Sequence, residues 1–113
     1  MVCEGTGSNL FTGSSPHRMS IMLTKVSGKV VKAISENMGT FTADKVDVRT
    51  KNHKGPVYNQ LIVDANQITL QTEVTEDTGL PARKIIIKNS GAYEQDFPLF
   101  SANGMCQVRE KAF

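Results

Sequence analysis

The sequence predicts an all-β fold, an antiparallel two-sheet sandwich of jelly-roll-like or Ig-like form with a flexible N-terminal arm. Short runs rich in Val, Ile, Thr, Phe and Leu recur from Ser20 to about Arg109. Turn-forming Gly, Asn, Asp and Pro separate these runs at spacings of about 8 to 12 residues, which is typical of a sandwich or a small barrel. The 113 residues fit one domain with a single core.

The N-terminal segment differs from the rest of the chain. Glycine and serine dominate residues 1–18, and only Leu10 and Phe11 form an apolar pair there. Such a segment cannot bury enough surface to offset its ordering entropy. We therefore predict a flexible arm at residues 1–18 and one β-sandwich domain at residues 19–113. The arm is either a disordered end or a segment that Leu10 and Phe11 anchor on a partner.

The first strands of the domain follow from alternation. Ile21 and Leu23 alternate with less apolar neighbours and predict a strand that ends at the Ser27-Gly28 turn. Residues 29–38 show both helical spacing and alternation, and their β-branched content favours a strand over a helix. Strands at residues 40–42 and 45–50 follow, and their apolar faces differ, which indicates a bulge or turn near Asp44.

The second half of the chain contains the clearest hairpin. Residues 57–63 and 68–74 flank a turn at residues 64–67, and residues 68–74 alternate between apolar and polar side chains. Strands at residues 84–88, 93–100 and 104–109 complete the domain, with turns at residues 89–91 and 102–104. The predicted core consists of Ile21, Leu23, Phe41, Val46, Val48, Leu61, Val63, Ile68, Leu70, Ile85, Ile87, Phe97 and Leu99.

Charge and cysteine content exclude several classes of protein. Thirteen basic and eleven acidic residues give a net charge of +2, too small a field to drive binding to nucleic acid or an anionic membrane. The chain has no run of ~18 apolar residues and no signal peptide, so we expect a soluble protein made in the cytosol. Cys3 and Cys106 are too few for a disulfide framework, and we expect two reduced thiols.

No sequence pattern indicates catalysis. His17 and His53 are the only histidines, and neither stands at a recognisable spacing from a nucleophile or a carboxylate. A zinc site would have to recruit residues from four distant places, namely Cys3, His17, His53 and Cys106. We therefore expect no catalytic residue, no metal, no cofactor and no small-molecule substrate.

Nucleic-acid binding is the alternative function. A small β-barrel with basic strands and exposed aromatic rings binds single strands in the manner of an OB-like protein. Acidic residues are interleaved with the basic ones, so nucleic acid ranks below a structural role. The residues that would carry this alternative are Lys45, Arg49, Lys51, Lys54 and Tyr58.

The arm, the β-domain and the apolar C-terminal residues Ala112 and Phe113 together resemble the decoration proteins, also called cement or staple proteins, of tailed-bacteriophage capsids. The resemblance spans the whole chain and rests on architecture and composition. It implies a non-enzymatic virion protein on the capsid surface that stabilises contacts between major capsid protein subunits, as a homo-oligomer, a dimer, without a membrane. We expect Leu10, Phe11 and Phe113 to contact the partner. Small tail or neck proteins of phages share these features and are an alternative to a capsid decoration protein.

Overall fold

The computed structural model describes residues 1–9, 11, 13–36, 38–47, 57–74, 83–97 and 100–107. These residues contain strands and turns and no helix, so the predicted all-β class is confirmed. The strands are β1 (Val2–Asn9), β2 (Gly13–Val26), β3 (Lys29–Ser35), β4 (Gly39–Thr42), β5 (Val46–Asp47), β6 (Val57–Val63), β7 (Gln67–Val74), β8 (Arg83–Lys88), β9 (Ala92–Phe97) and β10 (Phe100–Gln107).

The ten strands form one antiparallel sheet in the order β4-β3-β2-β1-β10-β9-β8-β7-β6-β5. The first and last strands therefore lie side by side in the middle of the sheet. The two ends of the sheet approach each other, because β4 lies against β6. The result is a nearly closed, barrel-like sheet, and the predicted arrangement of two separate sheets is not confirmed.

Residues 2–9 and 13–18 of the predicted arm belong to the sheet. β1 pairs with β10 on one side, from Val2 opposite Gln107 to Asn9 opposite Phe100, and with β2 on the other. Hydrogen bonds to two neighbouring strands order this segment, although its side chains are small. The prediction of a flexible arm is wrong here, and the predicted boundary between residues 18 and 19 falls inside β2.

Two glycines of the central strands are required by close packing. Gly5 and Gly104 lie opposite each other in β1 and β10. A Cβ atom on Gly5 would overlap the carbonyl oxygen of Asn103, and one on Gly104 would overlap that of Glu4. The glycine content that predicted disorder therefore permits the close approach of two backbones.

The two cysteines form a disulfide with an S–S distance of 1.98 Å, which corrects the expectation of two reduced thiols. Their separation of 103 residues in the sequence gave no indication of pairing. Cys3 lies opposite Cys106 because β1 and β10 pair in that register. The bond joins the first and last strands and closes most of the chain into one covalent loop.

The predicted hairpins agree well with the structure. Residues 29–35 form a strand, as their β-branched content predicted. The turn before that strand has positive φ at both central residues, Ser27 at 52° and Gly28 at 79°, as a two-residue hairpin requires. β6 and β7 form the hairpin predicted for residues 57–74. The predicted turn at residues 102–104 is wrong, because these residues pair with both β1 and β9 inside β10.

The core consists of inward side chains from nearly every strand. Of the predicted core residues, six are buried: Ile21, Phe41, Leu61, Leu70, Ile85 and Ile87. Leu23, Ile68 and Phe97 pack against this cluster while partly buried, and Val46 is half-buried. Val63 is 49% exposed because it ends β6, beyond the reach of β5. Val48 and Leu99 lie outside the described residues. The prediction missed Cys3, Met19, Ala33, Val57, Tyr93 and Ala102.

Candidate functional site

A row of four paired residues crosses the middle of the sheet. His17 of β2 lies opposite Gly5, Gly5 lies opposite Gly104, and Gly104 lies opposite Tyr93 of β9. The two glycines place no side chain between the outer members of the row. The side chains of His17 and Tyr93 therefore meet across two strands, with Nδ1 of His17 2.8 Å from the Tyr93 hydroxyl.

Burial keeps this pair neutral. Tyr93 is 1% exposed and burial raises its pKa, whereas burial lowers the pKa of His17. The two neutral groups share one hydrogen bond, in which the tautomer of His17 decides whether the phenol or the imidazole donates. The enclosed hydroxyl of Tyr93 has no access to a substrate in solution. The pair therefore contributes to the packing and polarity of the interior.

Further aromatic rings continue from this pair towards the β1–β2 turn. The ring of Phe100 lies 5.6 Å from that of His17 and 6.3 Å from that of Phe97, measured between centroids. The guanidinium carbon of Arg83 lies 5.4 Å from the centre of the Phe97 ring, within cation–π range. Phe100 also covers Gly7. This end of the interior is filled by aromatic contacts from four strands.

A buried amide joins the two ends of the sheet. Asn59 of β6 is fully buried, and its Nδ2 donates to the carbonyl oxygen of Met38 at 2.6 Å and to that of Thr40 at 3.3 Å. Its Oδ1 accepts from the hydroxyl of Thr72 at 2.6 Å. Because the amide is satisfied on both sides, it links β6 and β7 to β4 without an unpaired polar group.

Phe11 is the only predicted partner-binding residue among the described ones. It lies in the β1–β2 turn, and its side chain is 80% exposed. Its backbone N–H donates to Oδ1 of Asn9 at 2.8 Å, which holds the turn. Leu10 and Phe113 lie outside the described residues. The structure therefore places Phe11, one of the predicted contact residues, on the surface between β1 and β2.

The predicted nucleic-acid residues are not assembled into a basic patch in the described part of the chain. Nζ of Lys45 lies 2.7 Å from a carboxylate oxygen of Glu73. Tyr58 is half-buried and lies opposite the same glutamate in the β6–β7 ladder. Arg49, Lys51 and Lys54 lie outside the described residues. Lys45, the predicted cation that lies within the described residues, already pairs with an acidic residue.

The β2–β3 hairpin carries a different concentration of positive charge. The sequence contains no Asp or Glu between Glu4 and Glu36. No described carboxylate forms an ion pair with the three lysines of this hairpin, whereas Arg18, Lys45 and Lys88 each have one. Met22 and Val26 on the same hairpin are 66% and 58% exposed. Because side chains alternate along a strand, the inward Ile21 and Leu23 indicate in the sequence that Met22 and Val26 face outward. The three lysines of the hairpin are Lys25, Lys29 and Lys32.

An open groove of about 460 Å³ runs beside the second half of β2. Its lining is mainly apolar, with one basic and one acidic residue. The groove therefore offers both apolar contact and charge to an extended ligand. The lining residues are Met1, Ser20, Ile21, Met22, Leu23, Lys25, Ile34 and Glu36.

No protein-family model, curated protein or solved structure matches this chain. None of the described residues forms a helix that could span a bilayer. Within the same residues, no three His, Cys, Asp or Glu side chains are grouped to hold a metal ion. The cysteines considered for zinc are bonded to each other. The Phe11 turn and the β2–β3 hairpin, with their exposed apolar residues, are the two surface features that form the candidate functional site.

Proposed function

We propose that this chain is a non-enzymatic structural protein of a tailed-phage virion. It binds the outside of the capsid shell and stabilises contacts between major capsid protein subunits. The observation that carries the proposal is Phe11, an aromatic residue 80% exposed on a hydrogen-bonded turn. Burial of such a side chain against a partner contributes about 1.5–3 kcal/mol.

The sheet supplies the rigid body that a lattice-binding protein requires. The disulfide between Cys3 and Cys106 ties the two central strands together. A nearly closed sheet meets this requirement as well as a two-sheet jelly roll does. Since residues 2–9 and 13–18 are strands and Phe11 lies in the turn between them, the contact is made at the surface of the domain and not by a long tether. A dimer on the shell would present two such turns, so each contact can be weak.

The disulfide also supports a location on the virion surface. Disulfides persist in oxidising surroundings and are rare in the cytosol. A protein made in the host cytoplasm and carried on the outside of a released particle meets oxidising conditions after release. The bond then stabilises the domain where it functions.

Shell binding by Phe11 variants tests the proposal. Phe11→Ser should weaken co-sedimentation with purified shells about tenfold or more, because the apolar contact is lost. Val63→Ser is the matched control, since Val63 is also exposed but lies at the β6–β7 turn, the opposite end of the strands. The control should bind like the wild type. Equal binding by Phe11→Ser and the wild type would overturn the proposed contact.

Single-stranded nucleic-acid binding has less support, because Lys45 already pairs with Glu73. A labelled oligonucleotide measured by fluorescence anisotropy separates the two functions. The proposed structural role predicts no binding at about 50 mM salt. Binding that weakens steeply with added salt would favour the OB-like alternative.

A further inference from the structure

β2 has different neighbours along its two halves. Residues 13–20 pair with β1, and residues 21–26 pair with β3 on the other side. The β1 ladder ends with Val2 opposite Ser20. Beyond Ile21, no described strand lies on the β1 side of β2. Among the described residues, β2 therefore has an open strand edge along the groove described above.

Backbone hydrogen-bonding groups of β2 point into this edge. The N–H of Ile21 donates to the Met1 carbonyl on the β1 side at 2.9 Å, whereas the Ser20 carbonyl accepts from Glu36 on the β3 side at 3.4 Å. Successive residues of an antiparallel strand alternate between the two sides. The N–H and C=O groups of Leu23 and Lys25 therefore face the groove, and those of Met22 and Thr24 face β3.

The bulge in this hairpin does not disturb that alternation. The register shifts between Thr24, which lies opposite Lys32, and Lys25, which lies opposite Val30. The extra residue is thus Val31 of β3, and β2 continues without an insertion. Two consecutive edge positions, Leu23 and Lys25, remain available to hydrogen-bond an added strand.

The charged residues along the edge indicate which charges a ligand should carry. Lys25 lies at one end of the groove and Glu36 at the other. Lys25 forms no ion pair with a described carboxylate. Lys29 and Lys32 lie on β3, opposite Val26 and Thr24, and do not line the groove. A second copy of this hairpin would add positive charge to positive charge. An acidic residue on the incoming segment would be attracted to this end.

We propose that the open edge of β2 accepts an extended segment of a partner protein as an added β-strand, with apolar side chains in the groove and an acidic residue near Lys25. Main-chain hydrogen bonds to Leu23 and Lys25 would supply affinity, and the groove would select alternate side chains. This inference rests on the proposed function, because it specifies what part of a capsid subunit the chain holds. The Phe11 turn would then be a second, separate contact.

Amide hydrogen exchange measured by NMR tests the edge directly, with a blocked peptide of sequence EEVTVTV as the probe. Antiparallel addition places its glutamates beside Lys25. In the free protein the amides of Leu23 and Lys25 should exchange fast, and those of Met22 and Thr24 slowly. Peptide at about millimolar concentration should slow Leu23 and Lys25 about tenfold or more. The peptide KKVTVTV is the matched control and should protect them less.

Three results would overturn the inference. The first is slow exchange at Leu23 and Lys25 in the free protein, which would mean that the chain's own residues cover the edge. The second is unchanged exchange at saturating peptide. The third is protection that rises with protein concentration alone, together with a dimer in analytical ultracentrifugation, which would make a second copy the occupant.

Variants at Lys25 separate the backbone contribution from the charge. Lys25→Pro removes the edge N–H and leaves the β3 ladder intact, a position where proline is tolerated in a strand. It should abolish peptide protection at Leu23 without unfolding the domain. Lys25→Ala keeps the N–H and should retain protection while losing the preference for EEVTVTV over KKVTVTV. Equal protection in Lys25→Pro and the wild type would contradict strand addition.

The same measurement distinguishes this inference from the proposed function. Peptide protection without shell binding would remove the capsid role and keep the strand-accepting edge. Shell binding that leaves Leu23 and Lys25 in fast exchange would keep the capsid role and remove the edge as its contact. Shell binding therefore tests the capsid role, and amide exchange at Leu23 and Lys25 separately tests the strand-accepting edge.

Discussion

Nδ1 of His17 and the hydroxyl of Tyr93 lie 2.8 Å apart, although two strands separate their backbones. The contact is possible because Gly5 and Gly104 occupy the two positions between them. Aromatic side chains cover backbone that the glycines leave bare. This row, with the disulfide between Cys3 and Cys106 beside it, defines the centre of the domain.

The stability of the domain should depend on the protonation of His17. Burial lowers its pKa from the ordinary value of 6.5, so the unfolded chain binds a proton more readily than the folded one. The stabilisation by neutral His17 is fully present above pH 6.5 and is lost as the pH falls through the window below that value. Urea unfolding at about pH 7.5 and about pH 5 measures the difference.

His17→Gln is the control for this pH dependence. The variant should be less sensitive to acid than the wild type, because one half-buried titrating group has been removed. His53 remains in both proteins and contributes equally. An identical pH dependence in the two proteins would contradict a lowered pKa of His17 in the folded state.

Alanine at Gly5 should be strongly destabilising. An added Cβ would overlap the Asn103 carbonyl oxygen, so β1 and β10 would have to separate. We expect a loss of more than about 3 kcal/mol in the free energy of unfolding. Gly7→Ala is the comparison, because the closest contact of its Cβ would be the Phe100 ring, at 2.9 Å, and a side chain can move. Gly7→Ala should cost about 1–3 kcal/mol in the free energy of unfolding. Equal losses in Gly5→Ala and Gly7→Ala would contradict the close approach of the β1 and β10 backbones.

Removal of the disulfide should destabilise the domain without changing its fold. The double variant Cys3→Ala, Cys106→Ala should lose about 2–5 kcal/mol, because the bond closes a long loop of the unfolded chain. Dithiothreitol should lower the melting temperature of the wild type and leave that of the double variant unchanged. Alkylation of both cysteines in the native, unreduced protein would show instead that they are free thiols.

Asn59→Leu tests the closure of the sheet. The substitution leaves the carbonyl groups of Met38 and Thr40 and the hydroxyl of Thr72 without their amide partner. Each unpaired buried group costs about 1–3 kcal/mol, so we expect a large loss of stability by thermal melting. Thr72→Val removes one of these bonds and should cost less. Faster amide exchange in β4 should accompany the loss in Asn59→Leu.

The local pattern predicted most strands, because alternation and turn residues act between neighbours. The hairpin of β6 and β7 and the strand at residues 29–35 are examples. The pairing of β1 with β10 could not be predicted in this way, since it joins the two ends of the chain. The disulfide, the role of Gly5 and the order of residues 2–9 all depend on that pairing.

The candidate surface was predicted only in part. Phe11 stood out as an apolar residue among glycines and serines, and the structure places it on an exposed turn. The open edge at Leu23 and Lys25 follows from where the β1 ladder ends, a property of strand pairing that composition does not encode. The alternation around Ile21 indicated only which side chains face inward.

The stability and composition of decorated shells test the capsid role most directly. Purified empty shells incubated with excess wild-type protein should pellet with it at a fixed, saturable ratio to the major capsid protein. Calorimetry should then show a higher shell melting temperature, because a ligand that binds the assembled state stabilises it. No co-sedimentation, together with an unchanged shell melting temperature, would contradict the account.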